Sequence, residues 1–103
     1  MWAQLITTRI KPGREGDLRK LAGQLRATEE ADSGLVRSTM TQDQKDPSRI
    51  YMFVVFESEE KARAREDDPR RQAGLAEVRA LMSEIFDGAP EFVDLTVLEE
   101  IAP

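Results

Sequence analysis

The sequence predicts an α+β fold in which helices cover one face of a four-stranded antiparallel sheet. Seven consecutive apolar residues, 50–56, are rich in β-branched and aromatic side chains, which is typical of a strand covered on both faces. Two amphipathic helical patterns flank this run and provide enough apolar surface for one of those faces. The other face needs a different cover, for which the simplest source is a second copy of the chain.

The first half of the chain predicts a strand, a helix and a second strand. Residues 2–10 contain strong strand formers, and the turn-forming residues 11–13 end this strand. A helix is predicted over 15–31 from its regularly spaced apolar residues, Leu18, Leu21, Ala22 and Leu25. Gly34 favours the left-handed conformation that stops this helix, and a second strand is expected from 35 to about 41.

The second half predicts a strand, an interrupted helical region and a last strand. A polar hairpin connection, 42–48, leads into the apolar strand 50–56. Ser58 is a good N-cap for the next helix, and Asp68-Pro69 interrupts it, because the residue before proline avoids helical geometry. The helix that restarts at Pro69 carries one apolar stripe: Leu75, Val78, Leu81, Met82 and Ile85. Residues 91–99 are predicted to form the fourth strand.

The predicted order is therefore β-α-β-β-α-β, the ferredoxin-like split βαβ arrangement with both helical regions on one face of the sheet. The chain has 103 residues and no internal repeat, so we predict a single domain over residues 1–103. The open face predicts a homodimer, with the second and fourth strands contributing most of the contact.

Composition and charge exclude several classes of function. The net charge is −5, which disfavours a nucleic-acid partner. The chain has no cysteine, so it offers no disulfide, thiolate metal site or copper-carrying cysteine pair. It also has no histidine, the commonest zinc ligand and the usual general base and proximal haem ligand. We predict no metal and no cofactor, and the absence of an apparent signal peptide or membrane span predicts a cytoplasmic location without a membrane partner.

A basic segment offers the first candidate site, and two interpretations of it remain open. It contains five basic side chains: Lys61, Arg63, Arg65, Arg70 and Arg71. The segment could clamp an anion at the mouth of a cleft between helices and sheet. It could instead be a solvated helix face whose charges pair with neighbouring acids, and its near-neutral local charge favours this second interpretation.

Two further polar residues stand within predicted strands. The Tyr51 hydroxyl needs a hydrogen-bond partner if it is buried, and it could donate to a ligand oxygen. Arg37 must reach an edge, line a polar cavity or pair with a carboxylate, for which Glu57 and Asp94 are the expected partners. Both the structural and the ligand-binding role of Arg37 remain open.

Four segments considered together resemble the antibiotic biosynthesis monooxygenase family of dimeric α+β barrel proteins. They are residues 10–15, 32–35, 56–60 and the Asp68-Pro69 step. This resemblance extends over nearly the whole chain. It implies a ferredoxin-like protomer whose sheet packs face to face with that of a second protomer. It also implies a cleft between helices and sheet that binds a flat aromatic or quinone-like molecule.

The chain departs from the family pattern at three positions. Relatives typically carry tryptophan at the position of Phe56, histidine at that of Arg65, and often a second histidine at that of Arg70. Without histidine, the haem degradation known in some relatives is not expected here. Cofactor-independent chemistry on a phenolate remains compatible with the chain, since arginine can stabilise the anion.

The resemblance supports two hypotheses of different classes. The first is a cofactor-independent monooxygenase acting on a small aromatic or quinone-like molecule. Phe56 and Trp2 would form apolar walls, and Tyr51, Arg65 or Arg37 would provide polar contacts. The alternative is a non-catalytic ligand-binding or stress-associated dimer on the same scaffold. An RNA-binding domain is disfavoured, because the apolar strand lacks the basic-glycine-aromatic pattern of that class.

Overall fold

The computed structural model describes residues 1–103 as one four-stranded sheet with three α-helices. The strands are β1 (Trp2–Arg9), β2 (Leu35–Gln42), β3 (Arg49–Phe56) and β4 (Glu91–Thr96). The helices are α1 (Leu18–Thr28), preceded by a short 3-10 turn (Glu15–Asp17), α2 (Glu59–Glu66) and α3 (Pro69–Ile85). The strand order is β2-β3-β1-β4, and each neighbouring pair is antiparallel. This confirms the predicted ferredoxin-like arrangement.

Two elements are shorter than predicted. The helix expected over 15–31 continues as α-helix only to Thr28, because Glu29 already adopts an extended conformation. Gly34 has a φ of +82° and lies in the connection after the helix rather than directly at its end. The last strand ends at Thr96 instead of residue 99, and the amide of Val97 donates to the carbonyl oxygen of Met1. The remaining tail leaves the sheet.

Buried side chains on the helix-covered face form two clusters. The larger cluster joins α1 and α3 to the sheet: Ile10, Leu21, Ile50, Leu75, Val78, Leu81, Ile85 and Phe86. The smaller cluster lies under α2: Trp2, Val54, Phe56 and Ala62. α2 contributes only Ala62 to this core, whereas α1 contributes Leu21 with the partly buried Leu18 and Leu25, and α3 contributes four buried residues. Apolar packing therefore holds α2 less firmly than it holds α1 or α3.

No helix covers the opposite face of the sheet. Neighbouring residues of β3 show the contrast, because Val54 is 7% exposed under α2 whereas Phe53 points the other way and is 37% exposed. Phe53 pairs in register with Leu5 of β1, which in turn pairs with Val93 of β4. These three apolar side chains form a row across the open face that the single chain leaves largely uncovered.

The segment after β4 covers one end of the open face. Arg37 of β2 donates to Glu100 at 3.0 Å, although β2 and β4 lie at opposite edges of the sheet. Three strand spacings, about 14 Å, separate these edges, and residues 97–100 are just long enough to cross them. Val55 pairs with Arg37 in register and is only 1% exposed. We call residues 97–103 the crossing tail.

The partners that the sequence suggested for Arg37 are wrong. Glu57 instead pairs with Lys61 one turn along the chain, and Asp94 pairs with Arg63 of α2. Glu100 was overlooked as a partner because residues up to 99 were assigned to the fourth strand, which would have kept Glu100 at the far edge of the sheet.

Candidate functional site

Three helix ends meet on the helix-covered side of the sheet. Arg65, in the last turn of α2, donates through Nε and Nη2 to the carboxylate of Glu29, which follows α1. The three N–O distances are 2.9, 3.0 and 2.8 Å, and each side chain is 17% exposed. Arg71, in the first turn of α3, lies close enough to act on the pKa of Glu29. We call Glu29, Arg65 and Arg71 the helix-end cluster.

Helical spacing turns both arginines of this cluster inward. Arg65 follows the buried Ala62 by three residues, so both side chains lie on one face of α2. Arg71 precedes the buried Leu75 by four residues and Val78 by seven, which places it on the buried stripe of α3. Two charged side chains therefore occupy positions where apolar residues are the rule.

An aromatic pair, Trp2 and Phe56, lies beneath α2. The two ring centroids are 5.9 Å apart, and both residues are buried. The guanidinium carbon of Arg65 lies 5.2 Å from the Phe56 centroid, and that of Arg63 lies 5.1 Å from the Trp2 centroid. α2 therefore rests on the aromatic pair through two cation–π contacts.

A cavity of about 210 Å³ opens beside Arg65. Its walls come from α2, from the connection before β2 and from the α2–α3 junction: Asp32, Ser33, Lys61, Ala64, Arg65, Asp68 and Arg70. The cavity is polar and smaller than a typical ligand pocket of about 300–1,000 Å³. A flat ring that reached the aromatic pair from this cavity would have to displace part of α2.

Glu29 is held in its ionised form. Burial raises the pKa of its carboxyl, but hydrogen bonds from Arg65 and Ser33, together with the charges of Arg65 and Arg71, lower it by more. The pKa of Glu29 therefore lies below its usual value. At neutral pH this carboxylate is a weak base.

We expect the Arg65–Glu29 pair to contribute to stability in a pH-dependent way. Because the pKa of Glu29 is lowered in the folded chain, its contribution is present above the ordinary glutamate pKa of about 4.3 and is lost as the pH falls through the folded-state value. Glu29→Gln should reduce the free energy of unfolding by about 1–2 kcal/mol at pH 7, and by progressively less toward pH 3.

Urea unfolding between pH 7 and pH 3 measures this difference. Glu30→Gln is the matched control, since Glu30 approaches Arg70 at only 3.8 Å and its side chain is more exposed. A difference between Glu29→Gln and the wild type that stays constant over this pH range would contradict the lowered pKa.

The two interpretations of the basic segment apply to different residues. Lys61, Arg63 and Arg70 are exposed and pair with nearby acids, as expected for a solvated helix face. That interpretation is wrong for Arg65, which is largely buried against a carboxylate from a different helix. Arg71 is partly buried, and its Nε makes no hydrogen bond within the chain.

The structure divides the five predicted ligand contacts between the two faces of the sheet. Trp2, Phe56 and Arg65 lie together on the helix side. Successive side chains of a strand point to opposite faces, and the strand pairing places Tyr51 and Arg37 on the open face. A single small molecule between α2 and the sheet can therefore contact only the first three.

The sequence singled out neither Glu29 nor Arg71 individually. Glu29 was placed inside the predicted helix 15–31, where its side chain had no reason to face a neighbouring helix. Arg71 was grouped with the exposed arginines, although its spacing from Leu75 and Val78 could have shown that it faces inward.

The fold and this cluster define an α+β ferredoxin-like domain that carries arginines over buried aromatic rings. The chain belongs to the antibiotic biosynthesis monooxygenase family, whose model matches residues 1–77. None of the helices has both the length and the apolar character needed to cross a bilayer.

Solved structures support the fold. A cofactor-independent oxygenase from Streptomyces nogalater, SnoaB, is 13% identical with a TM-score of 0.75, over 99% of this chain and 97% of its own. Two proteins provisionally named antibiotic biosynthesis monooxygenases are also similar. The one from Chloroflexus aurantiacus is 25% identical with a TM-score of 0.67, over 99% of this chain and 98% of its own. The one from Nitrosomonas europaea is 13% identical with a TM-score of 0.75, over 96% of this chain and 100% of its own. A search of curated proteins finds no match.

Proposed function

We propose that this protein binds a small, flat aromatic or quinone-like molecule between α2 and the sheet and acts on it as a cofactor-independent monooxygenase. The position of Arg65 carries this proposal, because its guanidinium lies over the Phe56 ring and also lines an open cavity. A planar cation in this position can stack on an aromatic ligand and donate to its oxygens. The family and the similarity to SnoaB support the same reaction class.

The proposed reaction needs no reductant. A hydroxylated aromatic substrate in its phenolate form donates electrons to dioxygen, and a ring CH₂ group becomes the quinone carbonyl. One oxygen atom enters the product and the other leaves as water, so the substrate supplies all four electrons. The protein's part is to bind and orient the phenolate and to stabilise its charge.

The Arg65 guanidinium has one nitrogen that can donate to a bound phenolate. Its bonds to Glu29 use Nε and Nη2, so Nη1 remains available to a ligand oxygen. Arginine stays protonated at any working pH and cannot accept the phenol proton. The ligand must therefore bind in a form that is already ionised, or lose its proton to water.

Entry to the aromatic pair requires α2 to move, and the way α2 is attached favours such a movement. Only Ala62 of this helix is buried. Its other attachments to the rest of the chain are the exposed Arg63–Asp94 ion pair at 3.0 Å, the less exposed Arg65–Glu29 pair and the two cation–π contacts. An exposed ion pair contributes about 0–1 kcal/mol, so α2 is released mainly by separating Arg65 from Glu29.

One observation favours the alternative, a non-catalytic binding protein. Glu29 is the only carboxylate in the helix-end cluster, and its lowered pKa leaves the cluster without a side chain that exchanges a proton near pH 7. A protein without such a group can still bind the same ligands.

Binding, measured on hydroxylated anthrones and naphthoquinones, and oxygen uptake, measured on the anthrones, which carry the ring CH₂ group that reacts, separate these two functions. Binding is followed by the fluorescence of Trp2, the only tryptophan, and turnover by an oxygen electrode. Binding with oxygen uptake supports the monooxygenase. Binding without uptake supports the alternative, and the absence of both rejects a ligand site under α2.

We expect Arg65→Ala to weaken binding of the ionised ligand by about 1.5–3 kcal/mol, the contribution of a hydrogen bond to a charged group. It should also lower the free energy of unfolding by more than about 0.5 kcal/mol, because Glu29 is left without its bidentate partner. Isothermal titration and urea unfolding measure the two effects. Arg19→Ala, an exposed arginine of α1, is the matched control. Equal affinities of Arg65→Ala and the wild type would remove Arg65 from the site.

We also propose that two copies of the chain pack their open sheet faces together. The exposed row of Phe53, Leu5 and Val93 supplies the apolar centre that such an interface needs. The family resemblance supports the same assembly.

A further inference from the structure

We infer that Ser33 is a positioning residue of this site, which acts through Glu29 to fix the direction in which Arg65 presents its guanidinium to the cavity. This role rests on the proposed function for the contact between Arg65 and a ligand. It adds to that function the residue outside α2 that holds Arg65 in its binding orientation.

The Glu29 carboxylate receives hydrogen bonds from two directions. Arg65 donates through Nε to both carboxylate oxygens and through Nη2 to Oε2, at distances of 2.9, 3.0 and 2.8 Å. Ser33 donates through Oγ to Oε1 at 2.6 Å. Without the bond from Ser33, the carboxylate could rotate about its last side-chain bond and meet the guanidinium in a different plane. The hydroxyl therefore selects the arrangement that uses Nε and Nη2 and leaves Nη1 of Arg65 for a ligand oxygen.

The start of β2 holds the Ser33 hydroxyl in place. The Oγ atom accepts a hydrogen bond from the amide of Leu35 at 3.2 Å. Leu35 pairs in register with Phe56 of β3, whose ring centroid lies 5.2 Å from the guanidinium carbon of Arg65. These contacts form a closed circuit: Arg65, Glu29, Ser33, Leu35, Phe56 and again Arg65. A side chain that is restrained from both sides in this way keeps one orientation, which is what a binding contact requires.

The cavity and the movement of α2 give this circuit its functional meaning. Ser33 and Arg65 both line the cavity of about 210 Å³, but Ser33 lies in the connection before β2 and Arg65 in α2. Glu29 and Ser33 both precede β2, so the bond between them does not depend on the position of α2. When α2 moves out to admit a ligand, the carboxylate stays oriented, and it receives Arg65 in the same geometry when α2 returns.

A first experiment tests the positioning without any ligand. The rate at which the Arg65 Nε–H group exchanges with solvent is measured by NMR for the wild type, Ser33→Ala and Ser33→Thr, and its signal is assigned by its loss in Arg65→Lys. We expect exchange to be about 3–10-fold faster in Ser33→Ala and close to the wild-type rate in Ser33→Thr, which keeps the hydroxyl. Ser83→Ala, at an exposed serine of α3, is the matched control and should not change the rate. A rate that Ser33→Ala leaves unchanged would overturn the inference.

A second experiment asks whether Ser33 acts on a ligand through Arg65. The affinity for 2-hydroxy-1,4-naphthoquinone, an anion at neutral pH, is measured for the wild type, Ser33→Ala, Arg65→Ala and the double variant. Ser33→Ala alone should weaken binding by about 3–10-fold, the effect of one neutral hydrogen bond. In the Arg65→Ala background the same change should have no further effect, because the group that Ser33 positions is gone. Losses that multiply in the double variant would give Ser33 a role separate from Arg65 and refute the inference.

The two experiments distinguish a failure of this role from a failure of the proposed function. If the quinone does not bind the wild type, the proposed function fails, and the exchange rate of the Arg65 Nε–H group still decides whether Ser33 fixes this side chain.

Discussion

Val54→Asp is expected to abolish folding rather than to weaken a single contact. Val54 lies in β3, an inner strand of the sheet, and packs with Trp2, Phe56 and Ala62 under α2. The two arginines that lie over this cluster are already paired with Asp94 and Glu29, so burying a further carboxylate here costs several kcal/mol. Such a cost is comparable to the whole free energy of unfolding of a small domain, about 5–15 kcal/mol. The variant should accumulate as insoluble protein, with no cooperative transition in the fraction that stays in solution.

Val54→Ala is the matched control for this experiment. It removes two methyl groups without adding charge and should cost only about 2 kcal/mol, so this variant should fold and melt at a lower temperature. Expression yield, far-ultraviolet circular dichroism and thermal unfolding compare the two variants. A soluble Val54→Asp protein that melts like the wild type would show that β3 is not central to the core.

Phe53→Asp should leave the chain folded and prevent its association. Phe53 is the adjacent residue of β3, but its side chain is partly exposed on the open face, where a charge can remain hydrated. If two open faces pack together, each aspartate faces the apolar row of the partner, and the complex loses several kcal/mol. Sedimentation equilibrium at micromolar concentration should show a dimer for the wild type and a monomer for the variant.

Phe92→Asp is the control for this second experiment. Phe92 is the more exposed phenylalanine, but it pairs with Ile6 in register and so lies on the helix side of the edge strand β4. Its replacement should not change association. A stable wild-type monomer, or a Phe53→Asp dimer, would exclude the open face as the interface. A wild-type interface of roughly 1,600 Å² total would be of standard size.

The strands and the helix interruption were predictable because they depend on local chemistry. Residues 50–56 formed β3 as the apolar run indicated, and Asp68-Pro69 separated α2 from α3 through the restriction that proline places on the preceding residue. The end of α1 was missed, because the extended conformation of Glu29 accompanies its long-range bond to Arg65, and the spacing of apolar residues carries no information about such a bond.

The candidate site was predictable only in part. Arg65 and Phe56 were selected from the resemblance to the family, and the structure brings them within 5.2 Å of each other. The pairing of Arg65 with Glu29 spans 36 positions along the chain and depends on how α1 and α2 are placed, which residue patterns do not specify. Tyr51 and Arg37 were chosen for their chemistry, and the register of the sheet places them on the other face.

The crossing tail has a geometric consequence for any assembly through the open face. Because it occupies one end of that face, a second sheet can lie flat only on the remaining part and must be offset along the strands. A two-fold axis through the row of Phe53, Leu5 and Val93 then places the two tails at opposite ends of the contact. Leu98 and Ile101 are the most exposed large apolar residues of the chain. They would contact the edge of the partner's sheet and so limit how far the two sheets can shift along their strands. The crossing tail would in this way specify the alignment of the two protomers, independently of the strands that form their contact.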